Sequence, residues 1–159
     1  MAKWTEWAFL KKASCPQTEF KEFSSRFRQT LIVLPKGYDD SMIKLAKEID
    51  QILGGGIKSV VAWEKPDIIE RVESLVIESK DINIFGWPKK SFASKFKDFT
   101  ASIDLSPAFE IPISALPAMA GINTRLGYDE SHAGNIYNVV INGRMEEVLK
   151  ILMGNRNGK

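Results

Sequence analysis

From residue 30 onward the apolar positions fall into two alternating patterns. Thr30-Leu31-Ile32-Val33-Leu34 is an unbroken, β-rich apolar run, the pattern of a strand buried on both faces. After the loop 35–41, Met42 to Leu53 places Ile43, Ala46, Ile49 and Leu53 on one helical face. Gly54-Gly55-Gly56 stops that helix, and Ile57 to Trp63 predicts a second strand. Pro66 stands where a helix-start proline belongs and predicts a helix to about Leu75. Asp81 to Phe85 reads as a short third strand. Lys90 to Phe99 reads as a helix with Phe92, Phe96 and Phe99 as its packing stripe, and Ala101 to Leu105 as a fourth strand. Between 108 and 120, Pro112 and Pro117 cut a helical pattern, so a helix there is kinked or late-starting, and Gly121 ends it. Thr124 to Tyr128 predicts a fifth strand, Ile136 to Ile141 a sixth strand or extended segment, and Arg144 to Met153 a last helix.

The first 29 residues have a different character. Trp4, Trp7 and Leu10 recur at three-residue steps, Pro16 interrupts, and Phe20, Phe23 and Phe27 then mark one face of a short amphipathic helix with Thr18 as its N-cap. Six Lys/Arg against three Glu make this stretch locally basic, which permits peripheral membrane contact through the helix as well as core or interface packing. The expected organisation is an amphipathic helical extension, 1–29, before a Rossmann-like α/β domain, 30–159. Alternating strands and helices predict a three-layer α/β fold with a mostly parallel sheet of about six strands, strands one and four side by side at its centre.

Composition narrows the function classes. A chain of 159 residues suits one domain. A net charge of only +2 excludes a strongly basic nucleic-acid binder. Cys15 and His132 are the single cysteine and histidine, which excludes an internal disulfide and leaves too few soft ligands for a zinc site. No metal and no cofactor are expected. No run approaches the ~20 apolar residues of a spanning helix. Glu6 inside the short N-terminal apolar run, with Lys11-Lys12 after it, does not fit a secretory signal, so the cytoplasm is the expected compartment.

Candidate chemistry lies in loops after strands. Gly54-Gly55-Gly56 follows a helix and precedes a strand, the reverse of a phosphate cradle, so it reads as a helix stop and turn. Lys36-Gly37-Tyr38-Asp39-Asp40-Ser41 follows strand one. An aspartate there suits either a helix cap or a general base for a sugar hydroxyl. Asp104 ends strand four, where it can touch a ligand or tie the next turn. His132 lies in the polar loop Tyr128-Asp129-Glu130-Ser131-His132 and reads as a solvated loop residue. In a doubly wound sheet a ligand sits where neighbouring crossovers diverge. That makes Lys36, Asp40, Asp104 and Ser106 the crevice candidates, with Asp129 and His132 as an outer wall. Asp40 and Asp104 are expected to face each other across the mouth, to take a weakly bound sugar or polyol, and to tolerate alanine without loss of fold.

Three segments carry a resemblance: Asp98-Phe99-Thr100-Ala101-Ser102-Ile103-Asp104-Leu105-Ser106; Leu116-Pro117-Ala118-Met119-Ala120-Gly121-Ile122-Asn123-Thr124-Arg125-Leu126-Gly127-Tyr128-Asp129; and Ile136-Tyr137-Asn138-Val139-Val140-Ile141-Asn142. Together they resemble the N-terminal Rossmann-like domain of the heptosyltransferases, lipopolysaccharide-core glycosyltransferases of the GT-B fold. In that family an Asp in the loop after strand one is implicated as catalytic base. Asp40, or Asp39, stands at the matching place in Gly37-Tyr38-Asp39-Asp40, in a loop shorter by a glycine. The family binds its nucleotide-sugar donor mainly in a C-terminal domain, and this chain ends where that domain is expected to begin. The layout, with Phe85-Gly86-Trp87-Pro88-Lys89 before a helix, is also similar to a bacterial family of single-domain proteins to which no activity is assigned. The resemblance implies an acceptor-side half domain acting as a non-catalytic binding or interaction module, with a protein partner or a second copy. The alternative is the acceptor-binding subunit of a split glycosyltransferase acting on a cell-envelope sugar.

Overall fold

A computed structural model describes residues 24–65, 71–132 and 134–154. The predicted helices around Trp4–Leu10 and Phe20–Phe23, with their cap Thr18, lie outside the described residues. The sheet has six strands, all parallel: β1 (Thr30–Val33), β2 (Ile57–Ala62), β3 (Glu73–Val76), β4 (Ala101–Asp104), β5 (Thr124–Gly127) and β6 (Val139–Val140). Their order is β3-β2-β1-β4-β5-β6, so β1 and β4 are central neighbours as expected. Among the described residues the α-helices are α1 (Asp40–Ile52), α2 (Lys90–Ala93), α3 (Leu116–Met119) and α4 (Met145–Gly154).

Alternate residues of β1 explain the three layers. Ile32 and Leu34 enter one core with Phe27, Ile49, Leu53, Met145 and Leu149, beneath α1 and α4. Leu31 and Val33 enter the other with Phe92, Phe96, Ile113 and Leu116, beneath α2 and α3. A strand flanked by two cores needs apolar residues at every position, which is why its sequence lacks alternation. Phe92 and Phe96 meet edge to face at 5.5 Å, and Phe99 follows at 6.0 Å, confirming the stripe. Phe27, the last phenylalanine of the amphipathic pattern, is fully buried in the first core, carried by a 3-10 turn over Ser24–Arg28.

Several element boundaries differ from those expected. Of the helix expected from Pro66 to about Leu75, residues 66–70 lie outside the described residues, and Glu73–Val76 is instead the third strand. It lies at the sheet edge and is only half-buried, so its sequence carries no strong apolar run. Asp81 to Phe85 is not a strand. A 3-10 turn at Ser79–Asp81 leads into a tight loop closed by the Ile82–Pro88 bridge. The Asn83 carboxamide accepts from the Phe85 and Trp87 backbone N–H groups, and Gly86 takes the positive φ. The helix at 90 is α-helical only to Ala93 and continues as 3-10 turn to Phe96. Of the stretch 108–120 only α3 is helical, late-starting, with Pro117 in its first turn where the missing N–H removes no bond. The sixth strand is the two residues of β6 rather than 136–141. Gly54 and Gly55, both at positive φ, end α1 as a stop and turn.

α1 follows β1 onto the first core, whereas α3 follows β4 onto the second. The connections leave two adjacent strands toward opposite faces, and this opens a crevice at the carboxyl ends of β1 and β4.

Candidate functional site

Two clusters occupy that end of the sheet. The outer one joins three loops. The Glu110 carboxylate, from the loop after β4, accepts from the Lys36 backbone N–H at 3.1 Å and from the Trp63 indole N–H at 3.3 Å. Lys36 holds its ammonium 5.8 Å from the centre of the Trp63 ring, within cation–π range. One carboxylate therefore spans the crevice from β4 across β1 to the end of β2. Lys36 was expected here; Glu110 and Trp63 were not.

The inner cluster is buried. Asp104 accepts from the Tyr137 hydroxyl at 2.5 Å and from the Ser106 backbone N–H at 2.9 Å. Ser114 donates to Ser106 across 3.5 Å, and its hydroxyl accepts from the Glu110 N–H at 3.0 Å, which links the two clusters. Asp104, Ser106, Ser114 and Tyr137 are each at most 2% exposed. Gly127 makes room for Tyr137: a Cβ there would lie 2.4 Å from the phenol ring. Asp104 thus does not line the mouth opposite Asp40, as expected from sequence; it ties the end of β4 to the loop before β6. Alanine at this position is therefore not neutral for the fold, contrary to the expectation for an exposed crevice residue, because two buried donors would lose their acceptor.

The aspartates after β1 divide their roles. Asp39 is the N-cap of α1, accepting from the Met42 N–H at 3.1 Å and the Ser41 hydroxyl at 2.5 Å. Those bonds, Ser41 first, hold its pKa below the usual aspartate range. Asp40 is the first residue of α1 and is exposed. On the other side, Asp129 accepts from the Phe109 N–H at 2.9 Å and from Ser131. His132 is half-buried, its ring 4.1 Å from that of Phe109. Asp129 and His132 therefore grip the loop after β4 instead of standing free beside it. Arg125, buried on β5, donates to the carbonyls of Ile122, Asn135 and Ile136 and ties the turn before β5 to the loop before β6.

Asp104 and Asp129 carry opposite pH dependences. Burial pushes the Asp104 carboxyl above the usual aspartate range, against the pull of its hydrogen bonds. Between the ordinary and the raised value the unfolded chain binds fewer protons than the folded one. The stability this group contributes is therefore whole at low pH and is lost as pH rises through that interval. Asp129 is held low, chiefly by the Phe109 N–H, so its contribution is present above the ordinary value and lost as pH falls. Urea midpoints of the native chain and Asp104→Asn, followed from acid to neutral pH, should show the native chain losing ground as pH rises above the aspartate range. A pH-independent difference would show that Asp104 titrates alike in both states. Tyr137 is pushed up by burial and then by Asp104, so it stays protonated and remains a donor.

Among the described residues no group of three or more His, Cys, Asp or Glu could hold a metal ion, and no helix is long and apolar enough to cross a membrane. The fold and crevice define a doubly wound α/β domain with a polar, aromatic-edged site at its topological switch point. No protein-family model, curated protein or solved structure matches the chain.

Proposed function

We propose that this chain is a binding module that receives a sugar or polyol at the carboxyl ends of β1, β2 and β4, built as the acceptor-side half of a heptosyltransferase-like fold. The observation that carries the proposal is the meeting of Lys36, Trp63 and Glu110. Hydroxyl-rich ligands need acceptors, donors and an apolar platform in one place. A carboxylate, an ammonium and an indole supply all three. The buried Asp104–Tyr137 pair supports binding over catalysis, because both groups are satisfied by the chain itself. Partners and compartment follow the same proposal: a cytoplasmic protein that works with another protein or a second copy.

Titration of the labelled chain with a panel of monosaccharides and polyols should shift the Trp63 indole N–H resonance. Glu110→Ala should weaken that binding about tenfold, the equivalent of one strong hydrogen bond. An unmoved Trp63 resonance across the panel would overturn the proposal. One observation favours the split-enzyme alternative: Asp40 stands exposed in the first turn of α1. Sugar-nucleotide turnover that needs both a donor-binding partner and Asp40 would establish it. Turnover by the chain alone would refute both.

A further inference from the structure

We infer a second site, for a phosphate group, at the opposite end of the sheet from the crevice. There a cavity of about 380 Å³ is lined by Arg28, Leu53, Gly54, Gly55, Gly56 and Lys58. Among the described residues its charged lining is two cations and no carboxylate. A third cation, Arg71, lies against the same loop, where a Cβ on Gly55 would come within 2.8 Å of its guanidinium. The nearby acidic group is already neutralised: Asp50 pairs with Arg71 and accepts from the Ile57 N–H at 3.4 Å. The last carbonyls of α1 are taken up by the turn, with the Leu53, Gly54 and Gly55 N–H groups donating to Ile49, Gln51 and Asp50, while Lys58 donates to the Gly55 carbonyl at 3.2 Å. Among the described residues Arg28 forms no ion pair, so its positive charge remains available to a ligand, with Lys58 on the same lining.

Guanidinium and ammonium together suit a phosphate: the planar fork of Arg28 matches two oxygens, and Lys58 adds a point charge. The glycine triplet contributes by its lack of side chains, which leaves the cavity open, and not as a helix-starting cradle. The volume lies within the range of small-molecule pockets, so it admits either inorganic phosphate or a small phosphate ester.

The test is an amide-resonance titration at constant ionic strength with inorganic phosphate and, separately, with ribose 5-phosphate. Saturable shifts at Gly54, Gly55, Gly56 and Lys58, with Lys36 and Trp63 unmoved, are expected. Arg28→Gln with Lys58→Gln should weaken binding at least about tenfold, and both side chains are exposed, so the fold should hold. If the double variant folds poorly, Arg28→Lys must still weaken binding, because it keeps the charge and loses the fork. Equal affinity for the two probes identifies phosphate itself as the ligand, and tighter ester binding identifies a phosphorylated compound. Shifts that do not saturate, or that persist unchanged in the variants, would overturn the site.

Discussion

Phe27→Ala should lower the unfolding free energy by about 3–5 kcal/mol, the cost of emptying a fully buried aromatic site. Phe27 is wholly enclosed in the core beneath α1 and α4, with Ile32, Ile49, Leu53 and Ile57. Its backbone is as constrained as its ring. The Phe27 carbonyl accepts from the Thr30 hydroxyl at 2.8 Å, and it would sit 2.0 Å from a Cβ on Gly56. With turn and strand both holding that backbone, the surroundings have little freedom to collapse into the space left behind. A typical domain has about 5–15 kcal/mol in total, so this single change should bring the protein close to unfolding at physiological temperature. Urea denaturation measures it directly. A loss below about 1 kcal/mol, well under the range for such sites, would mean that Ser24–Arg28 is not part of the cooperative unit.

Asp104→Ala should cost about 2–6 kcal/mol, because it strands the Tyr137 hydroxyl and the Ser106 N–H at about 1–3 kcal/mol for each buried donor. The expected order of effects is the more telling measurement. Tyr137→Phe leaves Asp104 its bond from Ser106 and should cost less, about 1–3 kcal/mol. Asp104→Asn keeps an acceptor without the burden of burying a charge and should be the mildest of the three. Near-additivity of Asp104→Ala and Tyr137→Phe would contradict a direct bond between them, since paired groups couple by about 0.5–3 kcal/mol.

Particular residues show how far this molecule can be read from its chain. Leu31 to Leu34 announces a doubly buried strand because burial on both faces demands apolar side chains at every position. The order of strand and helix around it was enough to place β1 beside β4. The short edge elements were harder. Glu73–Val76 is half-buried at the rim, so it carries little of the apolar signal that marks a strand, and the preceding Pro66 pointed instead to a helix. Asp81 to Phe85 shows the opposite error: Ile84 is apolar yet 92% exposed, at the tip of a turn set by Asn83 and Gly86.

Of the candidate site, the chain alone determined the end of the sheet, the loops that surround it and the presence there of Lys36, Asp104, Asp129 and His132. Those follow from local periodicity and the direction of crossovers. Tertiary structure decided which groups touch. Glu110 reaches Lys36 across 74 positions and Trp63 across 47, and Tyr137 finds Asp104 across 33. It also decided that Asp104 lies inside and Asp40 outside. Periodicity records which face of an element is apolar, whereas a polar contact between distant loops depends on how those faces dock. That docking is fixed by packing in the two cores, to which neither partner's neighbours in the chain bear witness.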